Sequence, residues 1–139
     1  FGGLLKQEIE PPQKLKPLFS ISGVQIPLTP MLRERFQYAD GWTNAAASQR
    51  WLGLDEIAKV PKNKQALKQV RRRQENGPGS QIAKTEAGKV VLFGISEEDQ
   101  EETYLLFTSK NEPMIVTYIE YEEQQFVDLR KYLMFLTAQ

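Results

Sequence analysis

Runs of apolar and β-branched residues in the C-terminal part of the chain predict strands. The first run, Lys89–Ile95, contains the unbroken sequence VVLFGI, which is typical of a buried strand. Thr103–Thr108 and Met114–Tyr121 are rich in residues that strands favour, and Ser109–Pro113 between them predicts a hairpin turn. A weaker strand signal begins at Ile82–Ala83. The pattern therefore predicts a meander of antiparallel strands.

A helix is predicted ahead of the strands. Thr29 suits an N-cap and Pro30 suits the first helical position, so the helix would extend over Met31–Tyr38. Its apolar residues recur one turn apart on one face. Gly41 stands where a left-handed C-cap would end the helix.

Further helices are predicted on both sides of the strands. The acids Asp55 and Glu56 suit the start of a second helix, which Pro61 would end. Lys62–Arg73 predicts a third helix, polar on most sides, and the loop Gln74–Ser80 follows it. A closing helix that packs on one sheet face is predicted from apolar residues at helical spacing, namely Phe126, Leu129, Leu133 and Leu136.

This order of elements predicts an α+β fold in a single domain. N-terminal helices would be followed by a mainly antiparallel sheet, which a C-terminal helix closes. Residues 1–17, rich in proline and lysine, are predicted to form an extended lead-in, and residues 18–139 the domain itself. A flexible basic insertion is predicted near residues 62–80.

Several of these segments resemble the SUKH superfamily. Gly23–Pro27, the capped helix after it and Ala39–Trp42 are similar to the opening of that family, and Leu54–Ile57 is similar to its Leu-x-Glu-Ile segment. The strands and Phe126–Leu136 resemble its closing strand and helix. Two features depart from the pattern. A proline-rich segment replaces the helix that usually comes before the opening proline, and the basic stretch at 62–73 resembles an insertion.

The resemblance implies a non-enzymatic domain that binds another protein. Bacterial members of the family are immunity proteins that neutralise toxins, often nucleases. Fungal members regulate cell-wall glucan synthesis by binding other proteins. We therefore expect an immunity-like inhibitor or a regulatory scaffold, with a toxin or nuclease as the partner.

Composition narrows the chemistry further. The 139 residues include no cysteine and no histidine, which removes disulfides, cysteine-based zinc sites and the usual general base. We expect no metal, no cofactor and no catalysis, since a carboxylate enzyme would need acids that burial desolvates. No apolar run approaches the roughly 18 residues of a membrane span, and no signal-peptide pattern is present. We expect a soluble, cytoplasmic protein.

The acids are concentrated in one part of a chain whose net charge is zero. Ten of the eighteen lie between Glu97 and Asp128. A dense carboxylate surface can mimic nucleic-acid phosphates and dock on the basic cleft of a nuclease. The same acids also fit a solvated hairpin loop and an edge strand that charge protects against aggregation. The predicted partner-binding residues are Glu97, Glu98, Asp99, Glu101, Glu102, Glu120, Glu122 and Glu123.

Basic residues are concentrated in the middle of the chain and suggest an alternative, a nucleic-acid-binding module. No aromatic residue interleaves this segment and the net charge is zero, so the same residues also fit an exposed helix face. The candidates are Lys62, Lys64, Lys68, Arg71, Arg72 and Arg73. The aromatic residues Tyr38, Trp42 and Trp51 fit core packing better than a contact site.

Overall fold

The computed structural model describes residues 9–46, 49–76, 79–96, 101–108, 111–119 and 122–138, and within them six strands form one antiparallel sheet. Each strand of this sheet pairs with its neighbours in sequence, from Trp42–Ala46 at one edge to Glu122–Phe126 at the other. A separate two-stranded ribbon precedes the sheet. The ribbon consists of β1 (Leu18–Phe19) and β2 (Gln25–Ile26), and the sheet of β3 (Trp42–Ala46), β4 (Gln49–Trp51), β5 (Val90–Ser96), β6 (Glu101–Leu106), β7 (Met114–Ile119) and β8 (Glu122–Phe126).

Five α-helices lie in the described part of the chain, so the predicted α+β class is confirmed. Four of them precede β5 and the fifth follows β8. They are α1 (Pro30–Tyr38), α2 (Leu54–Lys59), α3 (Lys64–Asn76), α4 (Gln81–Lys84) and α5 (Leu129–Thr137), and Val60–Lys62 and Ala87–Lys89 form short 3-10 turns.

Helix α1 begins as the sequence predicts and ends differently. The Thr29 hydroxyl accepts a hydrogen bond from the Leu32 amide, and Pro30 occupies the first turn. At the other end the chain becomes extended at Ala39, and Gly41 does not adopt a left-handed conformation. The predicted glycine C-cap is therefore wrong. Gly41 instead lies against the Glu10 carboxylate, 2.9 Å from where a Cβ would stand, and its carbonyl accepts from the Glu10 amide.

Other predicted elements also change in the structure. Ile82–Ala83 belongs to helix α4, because the Ser80 hydroxyl caps that helix by accepting from the Ala83 amide. Trp51 lies in β4, ahead of helix α2. Strands β1 to β4 and β8 were not predicted. The sequence of β8, EEQQF, lacks a run of apolar residues, and pairing with β7 makes it a strand.

Helices cover both faces of the sheet. Successive residues of a strand point to opposite faces. On β5, Leu92 shares a pocket with Ala66 of α3, whereas the Phe93 ring contacts Phe36 of α1 edge to face at 6.3 Å. Helix α3 and helix α1 therefore lie on opposite faces, and α5 packs beside α1.

Helix α5 buries a different face from the predicted one. Leu129 and Tyr132 are buried, but the Leu133 side chain is 38% exposed, so its predicted place in the core is wrong. Tyr132 is buried in the core instead of Leu133, and the centre of its ring is 5.0 Å from the centre of the Phe126 ring. Phe126 ends strand β8 and does not belong to the helix.

The basic segment and the lead-in both contact the domain. Helix α3 buries Ala66 and Val70 in the common core. In the lead-in, the Glu10 amide donates to the Gly41 carbonyl at 2.9 Å, and Lys16 forms an exposed ion pair with Asp55 at 2.8 Å. These contacts place residues 9–17 along the start of α2 and the edge of β3.

Candidate protein-binding surface

The strand ends that border most of the predicted acids lie side by side at one end of the sheet. In the strand register, Ser96 pairs with Glu101, Glu101 pairs with Ile119, and Ile119 pairs with Glu122. The two connections between these ends contain predicted site residues that lie outside the described residues, namely Glu97, Glu98, Asp99 and Glu120. Both acidic connections therefore start and finish at the same end of the sheet, which we call the acidic end.

Glu102 is buried and belongs to an ion pair. Its side chain is 0% exposed, and Arg73 donates to it from Nε at 2.8 Å and from Nη2 at 3.2 Å. The Tyr104 hydroxyl also donates to the carboxylate at 3.3 Å. The expectation of exposed carboxylates is therefore wrong for Glu102, because β6 begins two residues earlier than predicted and directs this side chain under α3.

Glu101 needs the same correction. It is the first residue of β6 and is buried between β5 and β7, where it pairs with Ser96 and Ile119. A partner protein cannot reach a side chain in this position without moving the strands. Glu101 therefore contributes to the inside of the sheet end rather than to its surface.

The remaining two described acids lie on the edge strand β8 and differ from each other. Glu122 is exposed. Glu123 accepts hydrogen bonds from the Tyr118 hydroxyl at 2.5 Å and from the Gln81 amide at 3.0 Å. Partial burial would raise the pKa of Glu123, but these bonds and one from Gln125 outweigh it and lower the pKa below its usual value. Glu123 therefore anchors the start of α4 to the sheet.

The basic candidate residues also differ in exposure and in the direction of their side chains. Lys64, Lys68 and Arg71 are exposed and share one face of α3 at spacings of four and three residues. Arg73 points the other way, into its ion pair with Glu102, and its guanidinium lies 4.8 Å from the centre of the Tyr118 ring. Lys62 is exposed before the helix, and Arg72 is half-buried.

The aromatic candidates form a stack that leads from the core to the surface. Trp51 is buried, the Trp42 ring lies 5.6 Å from it, and the Tyr38 ring lies 5.7 Å from Trp42. Tyr38 itself is 61% exposed. Core packing therefore accounts for Trp51, whereas Tyr38 presents its ring to solvent.

A buried cation beneath this stack was missed in the sequence. Arg35 is 7% exposed and donates to the carbonyls of Ala39 at 2.5 Å and Asp40 at 3.1 Å. Burial lowers the pKa of its guanidinium to about 10, and the charge of Asp40 partly opposes this. The spacing of Arg35 in the sequence could have revealed its burial, because it lies three residues after Leu32 on the apolar face of α1.

Among the described residues, no group of three or more acidic, histidine or cysteine side chains is arranged to hold a metal ion. No helix in that part of the chain is long and apolar enough to cross a membrane.

Comparison of the chain with models of protein families, with curated proteins and with solved structures found no match.

Proposed function

We propose that this chain is a non-enzymatic protein-binding domain of the SUKH type, which holds a basic partner protein at its acidic end. In this role it would act as an immunity-like inhibitor or a regulatory scaffold, and we propose a cytoplasmic location. The observation that supports the proposal is the register of Ser96, Glu101, Ile119 and Glu122, because it makes the two acidic connections neighbours.

Electrostatic attraction between carboxylates and a cationic surface supports this role. Carboxylates concentrated at one end of a sheet raise the local attraction for a cationic surface and accelerate association with it. Glu102 is already neutralised by Arg73, and Glu123 is held by hydrogen bonds, so both are assigned to the fold. The proposed contact residues are therefore Glu97, Glu98, Asp99, Glu120 and Glu122.

Charge reversal tests the proposal with a matched control. Lysine replacement at Glu97, Glu98 and Asp99 changes the net charge by +6, and we expect it to abolish capture of the basic partner from lysate of the native organism. The control makes the same change of charge at three exposed acids away from the acidic end, namely Glu10 beside the β3 edge, Glu34 and Glu86. We expect the control to capture the same proteins as the wild type, identified by mass spectrometry.

Two results would count against the proposal. If both variants capture the basic partner equally well, the acidic end does not bind it. If only the control variant loses the partner, the contact lies elsewhere. Circular dichroism spectra of both variants should match the wild type, which would show that any change in capture does not come from unfolding.

The exposed stripe of Lys64, Lys68 and Arg71 supports a second candidate, a nucleic-acid-binding module. A gel-shift assay at two salt concentrations separates the two candidates. Binding to phosphates requires an affinity that falls steeply with salt, and glutamate replacement at the three positions should remove it. Absence of binding at low salt would exclude this candidate.

A further inference from the structure

A pocket of about 200 Å³ lies where strand β5 faces the junction between α2 and α3. Its inner wall is apolar, and the five side chains that form it are each no more than 5% exposed. Two of them lie three residues apart on β5, and they share a face because the register shift between Leu92 and Gly94 interrupts the alternation of that strand. The five are Leu52, Val60, Ala66, Leu92 and Ile95.

The size of the pocket indicates the size of its occupant. Sites for drug-sized molecules usually measure about 300–1,000 Å³, so this pocket suits a smaller molecule. A dry apolar cavity of about 150 Å³ is large enough to bind benzene. The pocket therefore has room for an occupant of about six carbon atoms.

The mouth of the pocket has more positive than negative charge. Arg50, Lys59 and Glu56 line it, which gives two cations against one acid. Glu56 is already engaged, because it accepts from Arg50 at 2.7 Å. Among the described residues, no carboxylate lies within ion-pair distance of Lys59, and Asp55, the other acid of α2, pairs with Lys16 at 2.8 Å. Lys59 is therefore the charge at the mouth that an anionic ligand can bind.

Helix α3 begins at the same mouth and adds to its positive character. Asn63 caps the helix by accepting from the Ala66 amide at 3.1 Å, and both residues line the pocket together with Gln65. The amide groups at the start of a helix have a partial positive charge, so an anion near them is stabilised. The cations at the mouth and the start of the helix therefore favour the same kind of ligand.

We infer that the pocket binds a short aliphatic monocarboxylate of about six carbons. The hydrocarbon chain would lie against the five buried side chains, and the carboxylate would remain at the mouth beside Lys59. A cationic ligand would meet the two cations there, and an uncharged ligand would gain nothing from Lys59. The inference concerns a small molecule and not a protein partner, and it does not depend on the proposed function.

Methyl NMR titration tests the inference on the intact chain. The probes are sodium hexanoate, sodium butanoate and hexylammonium chloride. We expect hexanoate to bind with a Kd of about 1 mM and to shift the methyl signals of Leu52, Val60, Leu92 and Ile95. Butanoate should bind about tenfold more weakly, because it buries two methylene groups fewer. Hexylammonium should also bind more weakly than hexanoate, because it has the opposite charge on a chain of similar length, and added salt should reduce this difference.

Reversing the charge of Lys59 tests the mouth of the pocket. In Lys59→Glu the three charged residues at the mouth become two acids and one cation, so hexylammonium should bind more tightly than hexanoate. Lys68→Glu makes the same change at an exposed position of α3 that does not line the pocket. This control should keep the wild-type preference for hexanoate.

A cavity-filling variant tests the interior of the pocket. Ala66→Leu places a leucine side chain there from helix α3, so we expect it to abolish the methyl shifts that hexanoate causes. Ala58→Leu makes the same change at an exposed position of α2 and should leave hexanoate binding unchanged. Because the comparison of the three ligands uses wild-type protein, it decides the question even if Ala66→Leu does not fold.

Several outcomes would overturn the inference. One is the absence of methyl shifts up to about 20 mM hexanoate, well above the millimolar Kd of a weak complex. Equal binding of hexanoate and butanoate would show that the chain is not buried. Wild-type protein that binds hexylammonium as tightly as hexanoate, or Lys59→Glu with an unchanged preference for hexanoate, would show that the mouth does not select a carboxylate. Methyl shifts with acetyl-leucine amide but not with hexanoate would overturn the inference in favour of an uncharged side chain from a protein partner.

Discussion

The Arg73 guanidinium on α3 donates two hydrogen bonds to the Glu102 carboxylate on β6, at 2.8 and 3.2 Å, inside the layer between helix and sheet. This pair joins the basic and acidic parts of a chain whose net charge is zero. One residue from each part is thereby removed from the surface and becomes part of the fold.

Glu102→Ala should destabilise the protein strongly. Removing one partner of a buried ion pair leaves the other charge uncompensated, and the loss is typically about 3–5 kcal/mol in the free energy of unfolding. Urea denaturation followed by circular dichroism measures this loss.

The double variant Arg73→Met/Glu102→Leu is the informative control. It removes both charges and fills the space with apolar groups, so its stability should be much closer to that of the wild type. A double variant as unstable as Glu102→Ala would show that the loss does not come from an uncompensated charge. Glu122→Ala, an exposed acid on the neighbouring strand β8, should change the free energy of unfolding by less than about 0.5 kcal/mol.

Buried tyrosines should make the fold sensitive to alkali. Burial and the nearby Glu102 charge raise the pKa of Tyr104 well above its ordinary value of 10.0, and burial also raises the pKa values of Tyr118 and Tyr132. Since the folded protein holds these protons more tightly than the unfolded chain, their contribution to stability is complete below pH 10. It is lost as the pH rises from there through the folded pKa values. The pKa of Arg35 is lowered to about 10, so the contribution of Arg35 to stability increases as the pH rises, opposite to that of the tyrosines.

Tyr104→Phe isolates one of these contributions, because Arg35 and the other tyrosines are unchanged. We expect the urea midpoint of the wild type to fall between about pH 8 and pH 11 by more than that of the variant, since phenylalanine has no proton to lose. An equal fall in both proteins would contradict the assignment of Tyr104.

Replacing Glu123 should affect stability and replacing Glu122 should not, although the two are neighbours in sequence. The pKa of Glu123 is lowered in the folded protein, so its contribution to stability is present above the unfolded value of 4.5 and is lost as the pH falls through the folded value. Glu123→Gln should therefore lower the melting temperature at neutral pH and flatten its decline in acid. Glu122→Gln should do neither, because its side chain is exposed. Melting curves from about pH 3 to pH 7 distinguish the two.

The sequence predicted the apolar parts of this fold better than its polar parts. The continuous run of β5 and the Thr29–Pro30 helix start specify their elements locally. Strand β8 carries no such signal, because its strand conformation depends on pairing with β7. The sequence pattern predicts a strand that begins at Thr103 and leaves Glu102 outside it, although Glu102 alternates with Tyr104 and Leu106 on one face of β6. The pocket that Leu92 shares with Ala66 was not predictable, because its apolar lining combines side chains from β5, α3, the residue after β4 and the 3-10 turn after α2, whose packing no local pattern records.

Gly94 should be intolerant of any side chain, for a reason of close packing. A Cβ at this position would lie 2.9 Å from the Trp51 ring, 3.1 Å from the Gln49 side-chain oxygen and 3.3 Å from the Arg50 carbonyl. Strand β5 has its register shift between Leu92 and Gly94, so the strand approaches β4 closely here. Gly94→Ala should therefore lower the free energy of unfolding by about 1–3 kcal/mol, the usual effect of overpacking a core, and alter the tryptophan fluorescence.

Gly79 provides the control, because a Cβ there would meet no atom within 4 Å. Gly79→Ala should leave both stability and fluorescence close to those of the wild type. Similar losses in the two variants would mean that chain flexibility, and not the contact with Trp51, determines the effect.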